Sequence, residues 1–550
     1  MPRAYPLLLA ALATVLGCSS AAPAPPRLAP RGLVREGTPD AVNVALARAR
    51  GGEQLFTWEP FTPETFARAR KERKFILLDG AASWCHWCHV MDETTYRDAR
   101  VGRLLRDRFI AIRVDIDERP DIGERYADWG WPATILLSPD AEEIGKYRGY
   151  MPADDLLPIL EAVGTSAAEA GDKAPDPLAV APPLEAMPWV AARTALQMEY
   201  YWDPDEGSWG QIHKSPLGNN VLFELARASH GDKRALGRAV FTLEKERALI
   251  DPVWGGVYQY SVGPTWNEPH YEKLMQYQAE NLEAYAVAHR MTGRKDLLED
   301  ARRIARYMNT FLSNAEGGFL VSQDADVGSH EEKAAFVDGD VYYRLGDAGR
   351  RKLGIPRVDD HVYAYENGIA IAAMCALFDA SGDADALARA KRAAALVMAG
   401  HLLPDGAVKH DAKNGSPVRH LADAAALGRG LARLFESTRD PVYRDAALRI
   451  ADAMDKLLAD GATGAYFANT PDPAAVGVFA RRQKPLSHNA AAARFLATLA
   501  RATGDEAFLQ RARKTLAAVA TPRAVAEQGR MLGEFLLALD EAGLFPHGSH

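Results

Sequence analysis

A short polar turn recurs through the C-terminal two thirds of the chain and sets its architecture: His230-Gly231-Asp232, Thr292-Gly293-Arg294, Ser381-Gly382-Asp383, Thr438-Arg439-Asp440 and Thr503-Gly504-Asp505. The middle residues are spaced by 62, 89, 57 and 65 positions, a period near 60 with one insertion. Ala- and Leu-rich segments flank each turn. Most units then reach a Gly-rich stop, as at Trp254-Gly255-Gly256, Gly317-Gly318-Phe319, Asp405-Gly406-Ala407 and Gly464-Ala465-Tyr466. Each unit reads as helix, tight turn, helix, and a fixed period with one such unit per repeat marks a repeat architecture. Counting the partial unit ending at Gly207-Ser208-Trp209-Gly210 gives about six helical hairpins over residues 185–545. If the last helix, near 527–542, pairs with the one near 187–200, the array closes into an (α/α)6 toroid. The alternative is an open solenoid, which usually carries more polar capping repeats.

Residues 55–165 follow a different rhythm. Short apolar runs, Phe75-Ile76-Leu77-Leu78-Asp79, Phe109-Ile110-Ala111-Ile112-Arg113-Val114 and Ala133-Thr134-Ile135-Leu136-Leu137, alternate with helical stretches. Buried strands separated by helices predict a βαβ-containing α/β domain. An Ala/Pro/Asp-rich linker at 166–184 separates it from the helical array, so the expected fold class is multidomain, α/β followed by all-α.

The N-terminus reads as a targeting segment over 1–17. Its apolar run, residues 7–16, is too short to span a bilayer, which takes about 20 residues. The tail Val15-Leu16-Gly17-Cys18 resembles a bacterial lipobox, in which Cys18 becomes the lipid-modified first residue; the alternative is an ordinary signal peptide that contains a cysteine. Residues 18–54 form a tether, Ser-, Ala- and Pro-rich at its start and unable to build a core. The expectation is export and lipid anchoring in the bacterial cell envelope, at the periplasmic face, with Ser19 compatible with outer-membrane sorting. The chain carries 73 acidic and 65 basic residues, net −8, which argues against a nucleic-acid partner. Its four cysteines are too few for a disulfide-stapled scaffold. Cys375, inside Ala372-Ala373-Met374-Cys375-Ala376-Leu377, reads as core.

The sharpest chemistry lies in Ser83-Trp84-Cys85-His86-Trp87-Cys88-His89. Cysteines at i and i+3, after a strand and opening a helix, can close a disulfide ring, and the helix N-terminus stabilises the first thiolate. Cys85 is expected to be the exposed nucleophile and Cys88 the resolving thiol. His86, beside Cys85, favours the thiolate and a more oxidising disulfide. Cys85, His86, Cys88 and His89 also raise a metal reading, but a structural zinc site usually needs ligands from a second segment. No second Cys/His cluster is apparent, so neither metal nor cofactor is expected.

The run from Phe75 to Cys85 resembles the thioredoxin fold, with Asp79 six residues before Cys85 and Trp131-Pro132-Ala133-Thr134 ahead of the next strand. The resemblance implies that Asp79 assists proton removal from Cys88 and that Pro132 is a cis-proline facing the pair. More narrowly, Trp84-Cys85-His86-Trp87-Cys88-His89-Val90-Met91, Val114-Asp115-Ile116-Asp117-Glu118-Arg119-Pro120-Asp121, Gly130-Trp131-Pro132, Gly255-Gly256-Val257-Tyr258, Pro269-His270-Tyr271-Glu272-Lys273-Leu274 and Ser322-Gln323-Asp324-Ala325-Asp326 are similar to motifs of the spermatogenesis-associated protein 20 family and its bacterial relatives. The likeness runs over about 55–540. It implies a thioredoxin-like domain followed by a six-hairpin toroid of the glycosidase and epimerase kind, with Tyr363-Ala364-Tyr365-Glu366-Asn367-Gly368 departing from the family pattern.

A toroid gathers loops around a central pocket, and the loops here carry Trp202, Asp205, Trp209, Tyr258, Trp266, His270, Glu272, Asp324 and Asp326. Aromatic faces with carboxylates suit a sugar, and a carboxylate pair is what glycoside hydrolysis uses. Epimerisation uses an acid/base pair, for which His270, His361, His410 and His488 are available. The leading expectation is an exported thiol–disulfide oxidoreductase whose toroid recognises a partner, either a protein thiol/disulfide client or reductant, or a carbohydrate. A carbohydrate-active enzyme with an accessory thioredoxin domain, and a non-catalytic lipoprotein scaffold, are the alternatives.

Overall fold

The computed structural model describes residues 54–163, 176–329 and 336–547. The targeting segment, Cys18 and nearly all of the tether lie outside them.

The first domain runs α1 (Pro63–Glu72), β1 (Phe75–Ala81), α2 (His86–Thr94), α3 (Ala99–Arg108), β2 (Phe109–Asp115), α4 (Pro120–Tyr126), β3 (Ala133–Leu137), β4 (Glu143–Arg148) and α5 (Ala153–Ala162). Its sheet has the order β2-β1-β3-β4, with β1 and β2 parallel and the other pairs antiparallel. The parallel pair is joined through α2 and α3, as a βαβ crossover requires. Alternate residues of the strands feed two cores. Leu77, Ala111 and Leu136 pack with Met91, Leu105, Leu156 and Leu160 on one face. Ile76, Leu78, Ile110, Ile112, Ile135 and Leu137 pack with Phe66 on the other, and Val478 and Phe479 of the helical domain complete that core. The two domains therefore share buried apolar surface. The three expected strands are present; β4, absent from the sequence reading, is an edge strand with mostly half-exposed residues.

Among the described residues, the second domain is built on twelve longer helices: α6 (Met187–Tyr200), α7 (Gly218–Ser229), α8 (Lys233–Glu246), α9 (Met275–Thr292), α10 (Lys295–Thr310), α11 (Ala364–Ser381), α12 (Ala384–Gly400), α13 (Leu421–Thr438), α14 (Pro441–Leu458), α15 (Leu486–Thr503), α16 (Glu506–Val519) and α17 (Gly533–Glu541). Helices α7, α9, α11, α13, α15 and α17 pack in that order, and α17 packs back on α7, closing the ring. Helices α8, α10, α12, α14 and α16 lie outside their partners, and α6 packs on α17. The array is a closed (α/α)6 toroid, and the open solenoid is excluded.

The recurring turn now has a physical cause. Gly293, Gly382 and Gly504 adopt positive φ to end inner helices, and Arg439 takes the same left-handed position. Asp232, Asp383, Asp440 and Asp505 cap the outer helices that follow. These turns lie at one end of the ring. The long connections, which carry nearly all the candidate residues, lie at the other.

Candidate functional site at the domain seam

After β1, the turn through Ser83 and Trp84 delivers Cys85 to the N-terminus of α2. Cys85 caps that helix, accepting the Cys88 backbone N–H at 3.1 Å, and is disulfide-bonded to Cys88. The Trp131–Pro132 peptide is cis, and Trp131 packs against the cysteine cluster and against Gly80, where a Cβ would lie 2.8 Å from the indole.

The expectation of an exposed Cys85 is corrected: Cys85 and Cys88 are 3% and 4% exposed. The toroid's long connections cover them. Leu274 packs against the apolar cluster that contains the pair. The Glu272 carboxylate accepts the His86 backbone N–H at 3.4 Å, and Asp326 lies 2.5 Å from His86 Nδ1. Asp359 accepts the Ser83 hydroxyl at 3.2 Å. His89 Nδ1 stands 3.7 Å from Asp324, and the Trp87 ring is 6.1 Å from that of His270. His270, Glu272, Asp324 and Asp326, expected around a sugar pocket, thus converge on the cysteine motif. The cause is topological: the thioredoxin-like domain sits on the end of the ring where the connections emerge.

The aromatic members of that expected pocket are placed differently. Trp209, Tyr258 and Trp266 are 2%, 3% and 2% exposed and packed within the toroid wall. Trp266 Nε1 donates to the Glu206 carbonyl at 2.8 Å. Trp202 lies under the Arg238 guanidinium at 4.8 Å and edge-on to Trp209, while Asp205 is exposed in the turn of that small hairpin. Tyr258, Tyr307 and Tyr343 surround Lys273, whose ammonium donates to Asp251 at 2.7 Å; Arg350 binds the same carboxylate. The long connections need bulky side chains to fill their own cores, and these aromatics serve that need.

Asp79 is buried opposite Arg113 in the β1–β2 register and accepts from Arg113 Nε at 2.9 Å and Tyr96 OH at 3.3 Å. Burial pushes its pKa up, partly offset by Arg113. Asp79 is thus an ion-pair partner of Arg113, a residue the sequence reading passed over although a charge inside an apolar strand is a visible signal. Burial works against the charged form of His86, but Asp326, Glu272 and Asp338 hold its pKa up at about 9.

A second group of acids borders the motif. Trp84 Nε1 donates to Asp117 at 2.8 Å, and the Asp117 carbonyl accepts from His410 Nε2 at 2.7 Å. Burial, then mutual repulsion with Asp115 and Glu366, raises the Asp117 pKa; burial raises Asp115 to about 6 and Glu366 to about 7. His361 pairs with Asp359 at 2.6 Å, and His488 with Glu124 of α4 at 3.1 Å. All four histidines considered for an acid/base pair therefore lie along the seam.

The family described as "Protein of unknown function, DUF255" (Thioredox_DsbH) matches residues 50–165. Human spermatogenesis-associated protein 20 is 28% identical over 312 residues, 49% of this chain and 39% of that protein. The uncharacterized protein B0495.5 of Caenorhabditis elegans is 27% identical over 349 residues, 56% of this chain and 47% of that one. The chain thus spans less than half the length of these curated relatives. A thiol:disulfide interchange protein DsbD of Campylobacter jejuni is 33% identical over 92 residues, 16% of each chain. Among solved structures, a sugar epimerase from a ruminal bacterium has a TM-score of 0.47 at 16% identity, covering 60% of this chain and 85% of that one. Residues 50–165 match the DUF255 (Thioredox_DsbH) family and fold as a thioredoxin-like domain, and the chain that contains them is similar to spermatogenesis-associated protein 20.

Proposed function

We propose that this chain is a thiol–disulfide oxidoreductase of the cell envelope, anchored through Cys18, with Cys85 and Cys88 as its redox pair. The observation that carries the reading is the Cys85–Cys88 disulfide at the N-terminus of α2, where the helix dipole favours the Cys85 thiolate on reduction. In the oxidising direction a client thiolate attacks one sulfur of the disulfide, and a second client thiolate then releases the client as its own disulfide. Cys85 and Cys88 take up the two electrons and leave as thiols. In the reducing direction the steps reverse, and an external dithiol restores the pair. His86 and Trp87 occupy the intervening positions, and the cis-bonded Pro132 immediately precedes β3. The toroid then acts as the cover and recognition surface of the pair. A separate sugar site gains no support, because Trp209, Tyr258 and Trp266 are core and Glu272, Asp324 and Asp326 face the cysteine motif.

The test is partner trapping with the full chain. Cys88→Ser with Cys85 retained should accumulate mixed disulfides in cells that Cys85→Ser does not, and purified wild type should equilibrate with a glutathione redox buffer as a two-electron couple. Absence of both would sink the oxidoreductase reading. Acyl labelling lost in Cys18→Ala tests the anchor separately.

A further inference from the structure

We propose that the seam holds a divalent transition-metal site, with His89 of the thioredoxin-like domain and Asp324 and Asp326 of the toroid as its ligands. One donor atom from each lies within 4.8 Å of the other two, and the three residues are 9%, 1% and 1% exposed. The carboxylates are held by their surroundings. Asp324 accepts the Asp326 backbone N–H at 3.1 Å and the Ser329 hydroxyl at 2.7 Å, and Asp326 accepts the Gly339 N–H at 2.8 Å.

Two further observations point to a bound cation. His86 is 5% exposed; its Nδ1 is fixed by Asp326, and its buried Nε2 has no hydrogen-bond partner. A buried polar atom left without a partner calls for an explanation, and a bound ion is one. Asp338, within electrostatic reach of Asp326, is 6% exposed and leaves Oδ2 without a partner. Besides His86, which faces Asp326, the nearby basic side chains Lys273 and Arg344 are committed elsewhere, to Asp251 and Asp340. The donors are imidazole nitrogen and carboxylate oxygen, since the cysteine sulfurs are joined to each other, and that set suits Zn2+ or Mn2+ rather than a soft cation. The histidines of the cysteine motif lacked a second ligand segment in the sequence, and the toroid connection supplies it. This proposal does not depend on the redox reading.

The test titrates Zn2+ and Mn2+ separately into chelator-treated, oxidised full-length protein by calorimetry. His547→Ala is the background, because His230, Asp540 and His547 form an exposed group with ligand-like spacing. One tight equivalent is expected. Affinity should fall at least about 100-fold in Asp324→Asn and in His89→Gln, fall about 10- to 100-fold in Asp338→Asn, and persist in the double variant Cys85→Ser/Cys88→Ser. If Asp324→Asn fails to fold, His89→Gln and Asp338→Asn, checked by circular dichroism, carry the test, with the Mn2+ electron paramagnetic resonance spectrum as second readout. No tight equivalent, or affinity indifferent to His89→Gln and Asp338→Asn, overturns the site. Loss of binding with the cysteines would place any metal on sulfur and overturn it as well.

Discussion

One pH-dependent tie across the seam is His410, and replacing it with glutamine makes a quantitative prediction. His410 Nδ1 lies 3.0 Å from Asp423 and Nε2 lies 2.7 Å from the Asp117 carbonyl, so both ring nitrogens face acceptors. Only the doubly protonated imidazolium donates to both. The side chain is 10% exposed; burial opposes its charge, but Asp423 raises its pKa from 6.5 to about 9. A shift of about 2.5 units corresponds to about 3 kcal/mol of stability. Because the folded pKa is the higher one, that stability is present in full below the unfolded value of 6.5 and is lost as pH rises through about 9. The edge-on neighbour His420 has its pKa lowered to about 4 by burial and titrates below this window; Glu366, also close, is raised to about 7 and is present in both chains. Urea unfolding of wild type and His410→Gln should differ by about 3 kcal/mol near pH 6, with the difference shrinking toward pH 10. A gap that stays flat or widens with pH would refute the assignment of the charge to this contact.

Two other expectations follow from the packing. In the reduced full chain, Leu274→Ala should speed alkylation of Cys85 and Cys88 about tenfold by removing a toroid side chain packed against the cluster that contains them, measured by mass-resolved labelling at fixed pH; equal rates would mean that the toroid does not limit access. Gly368→Ala should destabilise the toroid by about 3 kcal/mol, read by thermal or urea unfolding, because the added Cβ would lie 2.3 Å from the Ala426 carbonyl carbon where α11 crosses α13. An unchanged midpoint would show that the inner ring tolerates wider spacing there.

The ring was legible because its signals are local. A glycine that ends one helix and an aspartate that caps the next are adjacent in the chain, so their period survives without tertiary information. The strand–Cys-X-X-Cys–helix unit was legible for the same reason. Strand β4 was not, since Glu143-Ile144-Gly145-Lys146-Tyr147-Arg148 on a sheet edge lacks the apolar run of its neighbours. The site was legible residue by residue but not as a constellation. His270, Glu272, Asp324 and Asp326 stood out as polar groups on toroid loops, while their common destination depends on how one domain docks on another, a contact between segments up to 240 residues apart. The same docking brought Asp359, unremarkable in sequence, to the Ser83 hydroxyl and His410 to the Asp117 carbonyl.

The seam divides into two parts with different energetics. On one side Phe479 enters the thioredoxin-like core, its ring 5.0 Å from Phe61 and 5.9 Å from Phe66. Separating these rings exposes apolar surface to water at about 25 cal/mol per Å2. On the other side the cysteine motif is held mainly by hydrogen bonds and ion pairs to Glu272, Asp326 and Asp359, with Leu274 as the apolar contact. Water can replace most of those partners, so each contributes about 0.5–1.5 kcal/mol net when neutral and about 1.5–3 when charged. Opening at the cysteine side with the Phe479 contact intact therefore costs less than separating the domains. Access to the pair is then set by the few polar contacts on that side, which is why a single truncation at Leu274 is expected to change the exchange rate while leaving the fold in place.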